Sequence, residues 1–333
     1  VASNPLLDLP GLPVLRQRIE ERLLAAVETS DPRLTEMTSH LVRAGGKRLR
    51  PLLAALSSAT GDAAALDGTA VSAADTVSDD AVTGGVAVEL VHVGSLHHDD
   101  VLDEATTRHN VESVNARWGN LRAILSGDFL LARASELAAS LGTEVAALLA
   151  ATIGRLCTGE VRELHFAYQV DRTEDDYLTA IEGKTAALYS TACRIGGLVR
   201  RAPAAQTDAL TSFGLHYGMA FQVVDDVLDV TATDDELGKP AGHDMVEGVY
   251  TLPVLRTLAG PDGEALRSLL GKPIDDDTRL KALELVRQGD GVDQAMGAAR
   301  GFVDRAVDDL EALPVGEARD ALTAAARHLV AAV

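Results

Sequence analysis

Aromatic side chains are scarce in this chain: one Trp, five Tyr and five Phe, 3% of 333 residues. With 47% of residues hydrophobic, a large core must be built from Ala, Leu and Val rather than from rings. Cysteine is nearly missing. Cys157 and Cys193 alone exclude a disulfide framework, and two thiols make no zinc site, so both read as buried small apolar residues. Positive charge is short as well: 30 Lys and Arg against 50 Asp and Glu, a net charge of −20. That excludes nucleic acid as a partner, because backbone phosphates need a basic surface. An anionic substrate must be met by local cations or metal ions. No stretch of about 18 apolar residues escapes charge, so no transmembrane helix is expected. The first residues also lack the basic segment, apolar core and small-residue cleavage site of a signal peptide. A cytoplasmic location is expected, and weak membrane association stays open.

What the chain does have is helical spacing of apolar residues nearly throughout. Asp31 before Pro32 reads as a helix start, and the glycines after Ala44 as its stop. Helices are expected over 13–28, 32–44, 48–58, 84–104, 120–140, 142–169, 174–200, 204–233 and 244–259. Shorter ones are expected over 263–271, 277–288, 291–312 and 315–332. No run alternates like a strand. Residues 61–85 are small, acidic and poor in bulky apolar side chains, and are expected to form a long exposed, partly disordered connection. No other linker divides the chain, so the expected fold is all-α: a single helical domain over 1–333.

The acidic excess is not evenly spread. "DDVLD" occurs at 99–103 and again at 225–229, each time closing an apolar run. At 3.6 residues per turn, Asp99 and Asp103 fall within about 40° of one another on a helix face, with Asp100 about a quarter-turn away. Asp225, Asp226 and Asp229 repeat that spacing. Carboxylates at i and i+4 bracket a hard cation such as Mg²⁺, which keeps waters that a phosphate can replace. One such motif would pass as a solvated acidic face. Two identical ones, facing each other, would hold several Mg²⁺ ions and a polyanion between them.

A polyanion also needs cations. "AGGKRLRP" supplies Lys47, Arg48 and Arg50, "EGKTAAL" supplies Lys184 and Thr185, and "LGKPAGHD" supplies Lys239. Arg108 follows the first motif. Ammonium, hydroxyl and backbone N–H beside glycine are phosphate ligands. His92, seven residues before Asp99, shares its helix face and can donate to a diphosphate oxygen. His97 and His98 raise a transition-metal alternative, but they point away from the Asp99–Asp103 face and suit packing better.

Taken together, these segments resemble the trans-isoprenyl diphosphate synthases, or polyprenyl synthetases. The resemblance runs from "GGKRLRP" through "HVGSLHHDDVLDE", "GDFLL", "EGKTAAL" and "FQVVDDVLD" to "GKPAGHDMVEGVYTLPVL". It implies a helical bundle of the isoprenoid synthase type around a central apolar cavity, usually homodimeric. It implies chain elongation of an allylic diphosphate by isopentenyl diphosphate. Asp99, Asp100, Asp103, Asp225, Asp226 and Asp229 become the catalytic carboxylates, with Asp99, Asp103, Asp225 and Asp229 holding about three Mg²⁺. Lys47, Arg50, His92 and His109 would hold isopentenyl diphosphate. Arg108, Lys184, Thr185, Gln222 and Lys239 would hold the allylic diphosphate.

Two departures remove positive charge. The usual Arg-Arg-Gly after the first motif reads Arg108-His109-Asn110, and Val249 stands where many members have lysine. A histidine is largely neutral at pH 7, so affinity for isopentenyl diphosphate is put in question more than reaction type. The rivals are a short-chain (C15–C20) synthase, a class I terpene cyclase, which would lack the second DDxxD, and a non-catalytic subunit, which would have lost carboxylates. For product length, Ala87, Leu90, Val91 and Gly94 share one face of the helix before the first motif. The small Gly94, with no aromatic floor, predicts an open tunnel and a product of six to ten isoprene units, the range used for quinone side chains.

Overall fold

A computed structural model describes residues 11–61, 76–233 and 240–331. The chain runs through α1 (Leu12–Val27), α2 (Pro32–Ala44), α3 (Leu49–Ala59) and α4 (Asp79–Leu102). A two-stranded hairpin follows, β1 (Thr107–Arg108) and β2 (Val111–Glu112). Then come α5 (Val114–Trp118), α6 (Asn120–Ser140), α7 (Thr143–His165), α8 (Glu174–Ile181), α9 (Ala187–Val199) and α10 (Ala204–Thr231). Helices His243–Val246, Leu252–Ala259, Gly263–Leu269, Asp276–Gln288, Gly291–Asp309 and Glu317–Ala331 complete the described chain. The fold is all-helical, as the apolar spacing predicts.

Local chemistry explains most helix ends. The Asp31 side chain accepts from the Arg33 N–H at 2.9 Å and Pro32 opens α2. Gly45, at φ 90°, ends it. Ser78 caps α4 by accepting from the Ala81 N–H at 3.2 Å, and Asp79 and Asp80 face the positive end of the helix dipole. That cap corrects the expected connection over 61–85. It gives way to helix at Asp79, while 62–75 lie outside the described residues.

The expected helix over 174–200 is interrupted by a π-helical turn, Glu182–Ala186. The expected helix over 244–259 is two, separated by Gly248 at φ 79°. The short hairpin, unseen in the apolar pattern, turns at His109 and Asn110, both at positive φ (50° and 62°). That is the two-residue turn whose twist matches paired strands.

Two helices lie deepest. Every residue of α4 from Ala81 to Val91 is buried, so this helix is enclosed on all sides, by α1, α3, α6 and α9. α10 is enclosed by α9 and Gly291–Asp309. The core is rich in Ala, Leu and Val, yet the few rings are spent inside it: Tyr177, Tyr189, Tyr217, Tyr250 and Phe213 are fully buried. Cys193 is buried too, but Cys157 is exposed on α7, against expectation. No helix among the described residues is long and apolar enough to cross a membrane.

Candidate active site

The first motif closes α4. Asp103 is its C-cap, and its N–H donates to the Asp99 carbonyl at 2.8 Å, which stacks the two carboxylates one turn apart. Asp99 is half-buried. Burial pushes its carboxyl up to about 7; Glu160 and Asp103 add repulsion that Lys184 and Arg108 oppose. Burial also raises Asp103, and Glu247 repels it.

Asp100 is different. It is fully buried, and its Oδ1 accepts from Arg108 Nε at 2.8 Å and Nη2 at 2.7 Å. Its carbonyl accepts from Asn115 Nδ2 at 2.8 Å. Asp100 therefore holds the hairpin and Arg108 in place. His97 is buried against Ser126 Oγ at 2.8 Å, and burial lowers its pKa to about 3. His98 reaches the Ile124 carbonyl at 3.2 Å. Both turn to α6, away from the carboxylates.

The second motif lies near the end of α10. Asp225 is exposed, whereas Asp226 and Asp229 are buried. Asp226 accepts from Tyr177 Oη at 2.5 Å and from Gln222 Nε2 at 2.8 Å. Burial pushes its pKa well up, and Asp244 adds repulsion. Gln222 Oε1 in turn accepts from Thr185 Oγ1 at 2.7 Å. Lys184, the preceding residue, pairs with Glu160 at 2.9 Å and Glu163 at 2.5 Å on α7. The π-helical turn thus links the motifs. Lys184 lies within electrostatic reach of Asp99 and Asp103, and Thr185 reaches Asp226 through Gln222. Gly159 lets α7 come this near, because a Cβ there would lie 2.4 Å from the Lys184 nitrogen. Lys239 lies outside the described residues.

Lys47, Arg50, His92 and His109 meet around one cavity of about 430 Å³, with Tyr189 and Phe221 in its wall. The backbone turns into it through Gly45, Gly46 and Arg48, all at positive φ. Arg48 is spoken for: it is buried and bonded to Glu20 at 2.8 Å, Glu89 at 3.2 Å and the Val42 carbonyl at 2.7 Å. Arg50 stacks 4.5 Å over the Tyr189 ring, and its buried Nε has no hydrogen-bond partner. Burial, then Arg50 and His109, hold His92 well below the usual histidine range. Burial and Arg108 lower His109 also. Both shifts favour the neutral imidazole, and with Arg48 paired to Glu20 and Glu89, Lys47 and Arg50 supply the cavity's remaining positive charge.

Among the described residues, no three His, Cys, Asp or Glu side chains converge on one point. The candidate donors are carboxylate oxygens one helical turn apart, Asp99 with Asp103 and Asp225 with Asp229. That suits a hard cation whose shell is completed by phosphate oxygens and water. Sequence reasoning missed Glu160, Glu163 and Tyr177. The first two could have been found as an i, i+3 acidic pair; Tyr177 carries no local signal.

The face of α4 with Ala87, Leu90, Val91 and Gly94 packs against its neighbours. Gly94 is buried against α6: a Cβ there would lie 3.2 Å from the Gly127 carbonyl oxygen and 3.4 Å from Leu130 and Leu131. Ala87, Leu90 and Val91 are enclosed in the same core as Ala123, Leu130 and Ala134. Gly94 thus brings α4 and α6 close together.

A helical bundle that closes two central helices with paired aspartates, beside an arginine- and lysine-lined cavity, defines the isoprenoid synthase class. Residues 31–286 match the polyprenyl synthetase family, and the chain belongs to it. It is 38% identical over 319 residues to a nonaprenyl diphosphate synthase of Mycobacterium tuberculosis, covering 94% of this chain and 91% of that protein. Its fold is similar to that of a heptaprenyl diphosphate synthase from Staphylococcus aureus: TM-score 0.88, 28% identity, 96% and 98% of the two chains. It is also similar to a geranylgeranyl pyrophosphate synthase from Corynebacterium glutamicum: TM-score 0.81, 37% identity, 97% and 96% covered.

Proposed function

We propose that this enzyme condenses isopentenyl diphosphate with an allylic diphosphate and releases a medium- or long-chain all-trans polyprenyl diphosphate. The observation that carries the reading is the cavity uniting Lys47 and Arg50 with His92 and His109, from three separate places in the sequence, beside the two aspartate motifs. In this reading Lys47 and Arg50 hold the isopentenyl diphosphate, and neutral His92 and His109 donate to its oxygens.

Asp99 and Asp103, with Asp225 and Asp229, would hold about three Mg²⁺ on the allylic diphosphate. When bound, these ions neutralise the leaving group as the C–O bond breaks. Arg108, fixed by Asp100, and Lys184, fixed by Glu160 and Glu163, are aimed at the same charge, with Lys239 as a further candidate. Thr185 and Gln222 hold the second motif through Asp226. Asp100 and Asp226 act as positioning residues. The allylic cation is attacked by the double bond of isopentenyl diphosphate. The departing diphosphate accepts the proton that is lost, so no side-chain base is required.

The medium- or long-chain product is supported by the nonaprenyl and heptaprenyl relatives, and the geranylgeranyl relative keeps a shorter product as the alternative. A homodimer is supported by Leu121, Ile124 and Leu125, which stand exposed together on α6. The test is incubation with Mg²⁺, isopentenyl diphosphate and allylic primers, with released diphosphate measured and products sized by mass spectrometry. Released diphosphate with a linear product of six or more units supports the proposal. Cyclic hydrocarbon from the allylic primer alone would mean a cyclase, and no turnover without a second protein would mean a subunit.

A further inference from the structure

A second arginine-lined cavity, of about 240 Å³, lies between the Val170–Glu174 segment and helices Leu252–Ala259 and Gly263–Leu269. Arg172, Arg256 and Arg267 line it. Arg172 is 5% exposed. Its Nε and Nη2 are buried and make no hydrogen bond, and its guanidinium rests against the rings of Tyr177 at 5.6 Å and Phe166 at 5.7 Å. A buried guanidinium without hydrogen-bond partners is costly and rare.

The other charges do not relieve it. Glu174 is committed to Arg256 at 2.5 Å, and the Arg256 Nε is likewise buried without a partner. Arg267 spends one nitrogen on the Val170 carbonyl at 3.0 Å. Asp171 is exposed at the rim. Glu163, Asp226 and Asp176 attract Arg172 through space, without a hydrogen bond to it.

We propose that this cavity is a binding site for a small phosphate oxyanion, either free phosphate or diphosphate, separate from the substrate cavities. The planar guanidinium fork matches a phosphate edge, and three arginines line the cavity with two carboxylates, one of them the exposed Asp171. Arg172 leans on Tyr177, whose hydroxyl holds Asp226, so occupancy is transmitted to the second aspartate motif. That consequence rests on the proposed prenyl transfer, which releases diphosphate; the binding itself does not.

The test is thermal unfolding of the metal-free protein in EDTA at constant ionic strength, titrated with sodium phosphate, sodium diphosphate or, as control, sodium chloride. Without metal the aspartate motifs repel the anion. The wild type and a Lys47→Ala/Arg50→Ala variant are expected to gain Tm below about 10 mM phosphate or diphosphate. Arg172→Met should need at least tenfold more anion, and Arg267→Gln should be weakened in the same direction. The salt with the lower half-saturation identifies which of the two ions is preferred. No response in the wild type, loss of the response in Lys47→Ala/Arg50→Ala, or an unchanged response in Arg172→Met overturns the proposal. If Arg172→Met does not fold, an unchanged response in Arg267→Gln overturns it. A failed prenyl-transfer assay with intact phosphate binding would remove the function and leave the site.

Discussion

The two aspartate motifs share all five residues and differ in nearly everything around them. The first runs off the end of α4, so Asp103 is exposed and Asp99 half-buried. The second stays inside α10, with Asp229 buried. In both, the middle aspartate turns inward and works as an anchor. Asp100 is anchored by a guanidinium, which neutralises it. Asp226 is anchored by a phenol and an amide, which satisfy its oxygens without a cation in contact. A repeated motif therefore repeats its geometry and not its electrostatics, because helical spacing is local while the partner comes from another element.

The largest expected effect treats the motifs as equals. Asp99→Ala or Asp225→Ala should each lower turnover by several orders of magnitude at saturating Mg²⁺; a near-normal rate in either variant removes that motif from the chemistry. The next effect should separate them. Asp100→Asn strips the half-buried Arg108 of its counter-ion and should cost about 2 kcal/mol in urea denaturation, the scale of a lost charge-assisted hydrogen bond. Asp226→Asn keeps an oxygen for Tyr177 and should cost about 1 kcal/mol or less. Equal costs would mean that the two anchors do not differ as described.

A smaller effect concerns the hairpin that Asp100 holds. His109→Arg restores a charge beside Lys47 and Arg50 and should lower the Michaelis constant for isopentenyl diphosphate about tenfold. The allylic constant should stay nearly fixed. An unchanged isopentenyl constant would mean that His109 does not contact that substrate.

The smallest effect is in pH. Asp99 titrates near 7 in the fold, above its value of 3.8 in an unfolded chain, so the folded state binds the extra proton between these values. The stability that Asp99 contributes to the metal-free protein should fall as pH rises from about 4 through 7 and level off above that, as its carboxyl ionises. Asp99→Asn should flatten this slope in a Tm series with EDTA. A slope equal to that of the wild type would mean that Asp99 is not the group responsible.

Much was legible in the sequence because it depends on neighbours along the chain. The all-helical class, α6 with both of its ends, the caps at Asp31 and Gly45, and the two DDVLD faces follow from apolar period and residue chemistry within one or two turns. The residues that gather in the basic cavity were also named from motifs. Tertiary structure decided what lies opposite each of them. Gly94 reads as a small residue along α4, and only the packed chain sets it beside Gly127 and Leu130 of α6. Cys157 has the composition of a core residue, and is exposed because its side of α7 faces outward. The π-helical turn at Glu182–Ala186 lies against Gly159 of α7, and the roles of Asp100 and Asp226 are set by Arg108 and Tyr177. Helical period says which residues share a face; only the packed chain says whether that face meets backbone, charge or water.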